Sequence, residues 1–336
     1  MIHHFGRSGV FGSQAGGDPR PTPGTTAGCS HRGMKPTSKG DVLNQPLPHR
    51  TVCTPIVCLL AIVTCLCAAL PGPAAAYDIY APLKQRLIQD GLRPNVVSLA
   101  FQPPPPPQYK IVALTFRIRE GKRSYAQFLT PASIAKAQQF LDRHAATFAR
   151  AESASGVDRR VIAAILLVET RFGSYTGQTP TLAVFSTFAV MDQRENRDKI
   201  WSMLTVRDRK RWNRDAFDRK MMDRSKWAYQ ELSSLLRWAD SNGMDVQAYR
   251  GSVMGAIGWA QFLPSSLVRY GMDGDQDGVV DLFTAQDAIF SVANYLRGHG
   301  WTEARTEAEK ERVIYAYNHS RPYCEAVLGI ADRLRL

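Results

Sequence analysis

Val161-Ile-Ala-Ala-Ile-Leu-Leu-Val168 is an unbroken apolar run that ends in a single carboxylate, Glu169, followed at once by Thr-Arg-Phe-Gly173. Such a run reads as an apolar helix that the rest of the chain has to cover. Glu169 lies four residues after Ile165 and seven after Ile162, so helical spacing sets it on the same face as those core residues. Desolvation raises the pKa of a carboxyl group, and one protonated near neutral pH can act as a general acid. Gly173 supplies a residue able to take positive φ and end the helix. The segment alone favours a helix-end glutamate that reaches solvent or pairs with Arg171.

The 336 residues allow one or two domains. Residues 1–33 are rich in Gly, Ser, Thr and Pro without apolar periodicity, and are expected to be disordered or to precede the true start. From Met34 a secretory signal can be traced: Lys35, Lys39 and Arg50, then an apolar stretch near Pro55–Leu70, then Pro71-Gly-Pro-Ala-Ala-Ala76 as a small-residue cleavage site. Residues 1–76 are therefore read as a dispensable start plus signal peptide, and the protein as periplasmic. Cys65 follows Thr64 and Cys67 follows Leu66, neither of which makes a good lipoprotein signal. Five of the six cysteines fall in this leader and only Cys324 remains, which leaves no internal disulfide or multi-cysteine metal site in the mature part. The leader holds six Lys/Arg and two Asp/Glu, so +8 of the net charge of +12 belongs to the rest. That balance suits anionic wall polymers, lipid surfaces or nucleic acid without choosing among them.

Residues 77–119 read as an N-terminal segment. Leu83, Leu87, Ile88 and Leu92 have helix-like spacing, and Pro103–Pro107 form an extended polyproline strut. Alternation over Lys110–Arg119 predicts a strand. Residues 120–336 read as one mainly α domain. Thr130-Pro131 starts one helix, and further helices are expected from about Lys226 to Gly243, at Ala285–Arg297, at Thr306–Ala316 and at Tyr323–Leu334.

Three further segments carry chemistry. Asp273-Gly-Asp-Gln-Asp-Gly-Val-Val-Asp281 has the early pattern of an EF-hand loop: Asp273, Asp275, Asp277 and Asp281 offer carboxylates, and Val279 its carbonyl. Thr284 stands where the closing glutamate belongs, and Asp287 could close a longer loop. Clustered carboxylates are most simply explained by Ca²⁺, the other account being a solvated Asp/Gly turn. In Gly251–Ser266, Gly251, Gly255 and Gly258 permit close backbone approach, while Ser252 and Gln261 suit hydrogen bonds to hydroxyls or acetamides. Tight helix packing would use the same residues. Tyr317-Asn-His-Ser320 is a polar cluster at the end of an apolar helix.

In this order the segments resemble the lytic murein transglycosylases of the membrane-bound B type. The matching stretches are VETRFG (168–173), GSVMGAIGWAQFLPSS (251–266), DGDQDGVVDLF (273–283) with Asp287, SVANYLRGHGW (291–301) and AYNHSRPYCEAVL (316–328). The resemblance implies a lysozyme-like catalytic domain with an EF-hand-like loop. It implies Glu169 as sole catalytic carboxylate, sugar contacts from Ser252 and Gln261, and a groove lined by Tyr317, Asn318 and Tyr323. It also implies structural Ca²⁺ on Asp273, Asp275, Asp277, Val279 and Asp287, with no cofactor for the chemistry. The implied reaction cleaves the β-1,4 bond between N-acetylmuramic acid and N-acetylglucosamine and closes a 1,6-anhydro ring. The chain departs from the pattern between about 190 and 226, where Arg224 is the one counterpart of a paired arginine and Trp227 stands in for a groove tyrosine. The expected partners are peptidoglycan strands, with peripheral membrane association left open and a monomeric state. A hydrolytic muramidase and a non-catalytic Ca²⁺-stabilised wall-binding module are the rival readings. Nucleic-acid binding through Arg207–Lys220 is disfavoured because Asp208, Asp215 and Asp218 interrupt the basic run.

Overall fold

A computed structural model describes residues 78–118, 122–304 and 306–336. The leader and its proposed signal, including five cysteines, lie outside the described residues. The described residues begin with three short helices, α1 (Ala81–Gln89), α2 (Pro94–Ala100) and α3 (Tyr109–Leu114). There follow α4 (Lys122–Tyr125), α5 (Pro131–Arg143), α6 (Ala145–Ser155) and α7 (Arg159–Thr170). Next come α8 (Thr181–Ala189), α9 (Arg194–Met203), α10 (Val206–Arg211) and the 28-residue α11 (Arg214–Ser241). The chain closes with α12 (Pro264–Tyr270), α13 (Ala285–Gly298), α14 (Glu307–Tyr317) and α15 (Arg321–Ala331). Among the described residues, strand is confined to Thr179–Pro180 (β1) and Arg250–Gly251 (β2), an antiparallel pair with Thr179 opposite Gly251.

Local signals set the helix ends. Asp158 caps α7 by accepting the Arg160 N–H at 2.8 Å, and Thr306 with Glu309 forms a capping box on α14. Every residue of α7 from Val161 to Thr170 is buried, as an all-round apolar helix requires. Around it α5, α6, α13 and α15 assemble the first core, in which Ile162, Ile165, Leu166, Phe148, Tyr323 and Val327 are excluded from water. Each such side chain contributes about 1.5–3 kcal/mol of burial free energy.

A second core forms on α8 and α11, with Phe185, Phe188, Phe217, Met221 and Leu235. The N-terminal helices complete it through Tyr80, Leu87, Val97, Val112 and Phe116. Residues 110–118 do not form the expected strand. Alternation there coexists with another spacing, Tyr109, Val112, Ala113 and Phe116 at i, i+3, i+4 and i+7. That spacing gives a helical face, and the second core covers it. Helix α11 likewise begins twelve residues before the expected Lys226 start, capped by Asn213 accepting the Ala216 N–H at 2.8 Å. Three of the charges ahead of Lys226 are paired: Arg214 holds Asp218 at 2.8 Å and Asp198 at 2.5 Å, Arg197 also bonds Asp218 at 3.0 Å, and Arg117 bonds Asp208 at 3.2 Å. No helix among the described residues is long and apolar enough to cross a membrane.

Candidate active site

Glu169 occupies the last turn of α7 and is 7% exposed. Two fully buried phenols flank its carboxylate, Tyr317 at the end of α14 and Tyr323 in α15. Both are pushed well above the ordinary tyrosine pKa, first by burial and next by the negative charge of Glu169. Their rings lie parallel within 8°, centroids 6.4 Å apart, and Tyr317 donates its hydroxyl to the Ala260 carbonyl at 2.5 Å. Asn318 follows Tyr317 and is also buried, its side-chain oxygen without a hydrogen-bond donor from the protein. The guanidinium of Arg171 donates to Gln127 at 2.7 Å and lies over Phe128.

The chain leaving α7 is held in an unusual conformation. Arg171, Phe172 and Gly173 have φ of 51°, 58° and 76°, so the turn begins two residues before the expected glycine. A non-glycine residue in this region costs roughly 1–2 kcal/mol and persists only where its surroundings fix it. Here Thr170 donates its hydroxyl to the Trp259 carbonyl at 3.0 Å and accepts the Gly173 N–H at 3.0 Å. Phe172 stacks on Phe140 with centroids 4.1 Å apart. A Cβ on Gly173 would fall 2.0 Å from the Trp259 indole, and one on Gly177 would fall 2.1 Å from the Gly251 carbonyl.

The glycine-rich segment is tied to this loop. Gln261 takes φ of 49° and donates its amide to the carbonyls of Thr176 at 3.1 Å and Gly258 at 2.9 Å. Ser252 accepts the N–H groups of Ala256 at 3.1 Å and Met254 at 3.3 Å. The first turn of α12 is pinned by a buried carboxylate from α11: Glu231 accepts both the N–H and the hydroxyl of Ser265, at 2.9 and 2.8 Å. Tyr317 and Tyr323 thus lie beside Glu169, with Asn318 next to Tyr317 in the chain, and Gln261 and the Gly251-Ser252 backbone are tied to the loop that leaves α7. An acid, a set of amide and hydroxyl groups, and rigid backbone around them can protonate a leaving group and orient a polar ligand.

Arg224 is built into different surroundings. Its guanidinium donates to Thr115 at 2.6 Å and lies over the rings of Phe116 and Phe188, and burial lowers its pKa to about 10. Trp227 packs edge-on against Phe185 and Phe188. Both residues therefore pack within the second core rather than around Glu169, because α11 turns that stripe toward α3 and α8.

The aspartate loop brings Asp273, Asp275 and Asp287 together, with one oxygen of each within 4.8 Å of the others. Asp287 is 1% exposed and accepts the N–H groups of Gly274 at 2.8 Å and Asp281 at 2.6 Å, which closes the loop where Thr284 could not. Thr284 caps α13 by accepting the Asp287 N–H at 3.3 Å. The Asp287 pKa is raised, chiefly by burial and further by the charges of Asp275 and Asp273, although the two backbone donors oppose the shift. Asp277 accepts the Val279 N–H at 2.8 Å and stands outside the cluster of three. Crowded carboxylate oxygens fit a hard cation, which would relieve their mutual repulsion. Arg150, which no sequence pattern singled out, braces the loop through the Gly274 carbonyl at 2.8 Å.

A family model described as the transglycosylase SLT domain matches residues 75–311. The chain belongs to that family. A curated relative, membrane-bound lytic murein transglycosylase B of Escherichia coli (strain K12), is 29% identical over 177 residues, which cover 53% of this chain. The chain spans about two-fifths (41%) of that relative's length. Among solved structures, the soluble lytic transglycosylase SltB1 of Pseudomonas aeruginosa superposes with a TM-score of 0.61 at 23% identity, covering 76% of this chain and 98% of its own. A lytic transglycosylase of Escherichia coli solved in complex with calcium gives 0.59 at 20% identity, covering 78% and 94%. These superpositions establish the fold, mainly helical and lysozyme-like.

Proposed function

We propose that this protein is a peptidoglycan lytic transglycosylase in which Glu169 alone supplies acid and base. The observation that carries this reading is the buried Glu169 carboxylate, enclosed by Tyr317 and Tyr323 beside a rigid loop that joins it to Gln261 and Ser252. Family membership and the murein transglycosylase of Escherichia coli support the substrate class.

In the proposed reaction protonated Glu169 gives its proton to the oxygen linking N-acetylmuramic acid to N-acetylglucosamine, and the bond to C1 breaks. The substrate's own acetamide meets the positive charge developing at C1. Glu169, now a carboxylate, takes the proton from the C6 hydroxyl, whose oxygen bonds to C1. The products are a free N-acetylglucosamine end and a 1,6-anhydro ring, with Glu169 protonated again and no water consumed. A single residue acting in both steps requires no second carboxylate, unlike the usual glycosidase pair. Gln261, Ser252 and Asn318 orient the sugar through neutral hydrogen bonds, and Tyr317 and Tyr323 wall the acid from solvent.

Asp273, Asp275 and Asp287 would hold Ca²⁺, with Asp277 and Val279 as outer contributors, and the ion would neutralise the loop and stiffen it. The reading includes a periplasmic location, where the substrate lies. Digestion of purified sacculi followed by mass spectrometry tests the whole reading. Wild-type protein is expected to release muropeptides lighter by one water than their hydrolytic counterparts, and Glu169→Gln to release none while remaining folded. Reducing-end products would establish a hydrolase, and an active Glu169→Gln protein would remove Glu169 from the chemistry.

A further inference from the structure

Tyr175 is 68% exposed, the most exposed Phe, Tyr or Trp among the described residues, yet its backbone belongs to a loop held by hydrogen bonds and close glycine contacts. Its N–H donates to the Thr170 carbonyl at 3.1 Å, one residue beyond Glu169. The next residue, Thr176, offers its carbonyl to the side-chain amide of Gln261 at 3.1 Å. Gly177 then lies so close to Gly251 and Ser252 that a Cβ there would strike backbone. On the other side, Ser174 donates its hydroxyl to the Arg171 carbonyl at 2.8 Å and Gly173 rests against Trp259. The residues on either side of Tyr175 are held by contacts within the loop and to Trp259, Gln261, Gly251 and Ser252, while its ring stands in water.

We propose that Tyr175 is a carbohydrate-stacking platform at the rim of the site, adding a subsite beyond the sugars that flank the cleaved bond. An exposed phenol ring on a mobile loop would lose ordering entropy on binding. One on a clamped loop is already positioned, so contact with the C–H face of a pyranose loses little. The hydroxyl at the ring's edge stays hydrated, which leaves a flat apolar face for the sugar. This inference rests on the reading of the site as a glycan groove.

The test uses the full chain carrying Glu169→Gln, so that binding is measured without turnover, and titrates it calorimetrically with a β-1,4-linked tetramer of N-acetylglucosamine. Adding Tyr175→Ala is expected to weaken binding by about tenfold, the upper end for one aromatic contact. Tyr175→Phe, which keeps the ring, is expected to bind as the parent does, and Tyr175→Leu to remain weak. Thermal unfolding should be unchanged in all three, because the exposed ring adds little to the packing of the fold. Equal binding by Tyr175→Ala and the parent would overturn the proposal, as would a Tyr175→Phe protein as weak as Tyr175→Ala. If the parent binds neither the tetramer nor intact sacculi, the groove reading fails and the platform with it.

Discussion

Gly173→Ala probes the joint between Glu169 and the sugar-contacting segment, and the structure lets its effect be divided into two parts. The first is backbone: φ of 76° is a region in which a side chain costs roughly 1–2 kcal/mol. The second is steric. The new methyl would sit 2.0 to 2.6 Å from three indole atoms of Trp259, and Trp259 cannot retreat freely. Its backbone N–H donates to the Leu282 carbonyl at 2.8 Å, its carbonyl accepts from Thr170, and Phe140 packs on its ring. Overpacking of this kind costs about 1–3 kcal/mol. Gly243→Ala isolates the first part, since Gly243 has φ of 63° and a methyl added there would meet nothing within 4 Å. Urea unfolding at constant m-value should therefore show Gly243→Ala destabilised by about 1–2 kcal/mol and Gly173→Ala by about 2–5 kcal/mol. Muropeptide release should fall at least about tenfold in Gly173→Ala, since misplacement by about 1 Å is enough for such losses, and stay near wild type in Gly243→Ala. Equal stabilities for the two variants would refute the clamp on Trp259. A destabilised Gly173→Ala protein with full activity would show that the loop does not position Glu169.

Asp287→Ala removes the acceptor for two backbone N–H groups and is expected to cost about 1–3 kcal/mol even without metal. Adding Ca²⁺ should raise the unfolding midpoint of the wild type but not of the variant, and chelation should narrow the difference between them to that metal-free cost. The Asp158 carboxyl has a lowered pKa: burial pushes it up, but the bonds from the Arg160 side chain and N–H outweigh this. Its contribution to stability is then present above about pH 4, the unfolded value, and is lost as pH falls through the lower folded value. Asp158→Asn keeps the helix cap but not the charge, so acid titration of stability should show a gap between wild type and variant above about pH 4 that closes at lower pH.

How legible the fold is depends on how many spacings a segment satisfies. Val161–Val168 as an unbroken apolar run suits a buried helix or a buried strand, and Glu169 at helical spacing with Gly173 behind it points to helix, as found. Residues 110–118 satisfy period two and the i, i+3, i+4, i+7 spacing at once, and only a partner decides between them. The partner is the core formed by α8 and α11, whose participation no local pattern announces. Arg214–Lys226 is obscured for a related reason. Its charges carry no amphipathic stripe on their own, and the pairings that support it, Arg214 with Asp198 and Arg197 with Asp218, involve a separate helix.

The site divides along the same line. Glu169, Ser252, Gln261, Tyr317, Asn318 and Tyr323 stand out by resemblance of short motifs, and these motifs lie on backbone whose geometry the motifs themselves impose: a left-handed turn, a serine-capped bend, a glycine in contact with carbonyl. Arg224 stands out only by its place in a stretch that differs from the family in length, and there the surrounding core decides where the side chain goes. Phe116 and Phe188 offer the guanidinium aromatic faces and Thr115 offers it an oxygen, so it is held beside α3. Tyr175 shows the converse case. Nothing in Ser174-Tyr-Thr-Gly177 marks a ligand contact, because the sign of one lies in what its neighbours touch. A residue whose role comes from its own backbone conformation can be read from a motif. One whose role comes from the elements packed around it becomes visible only when those elements are in place.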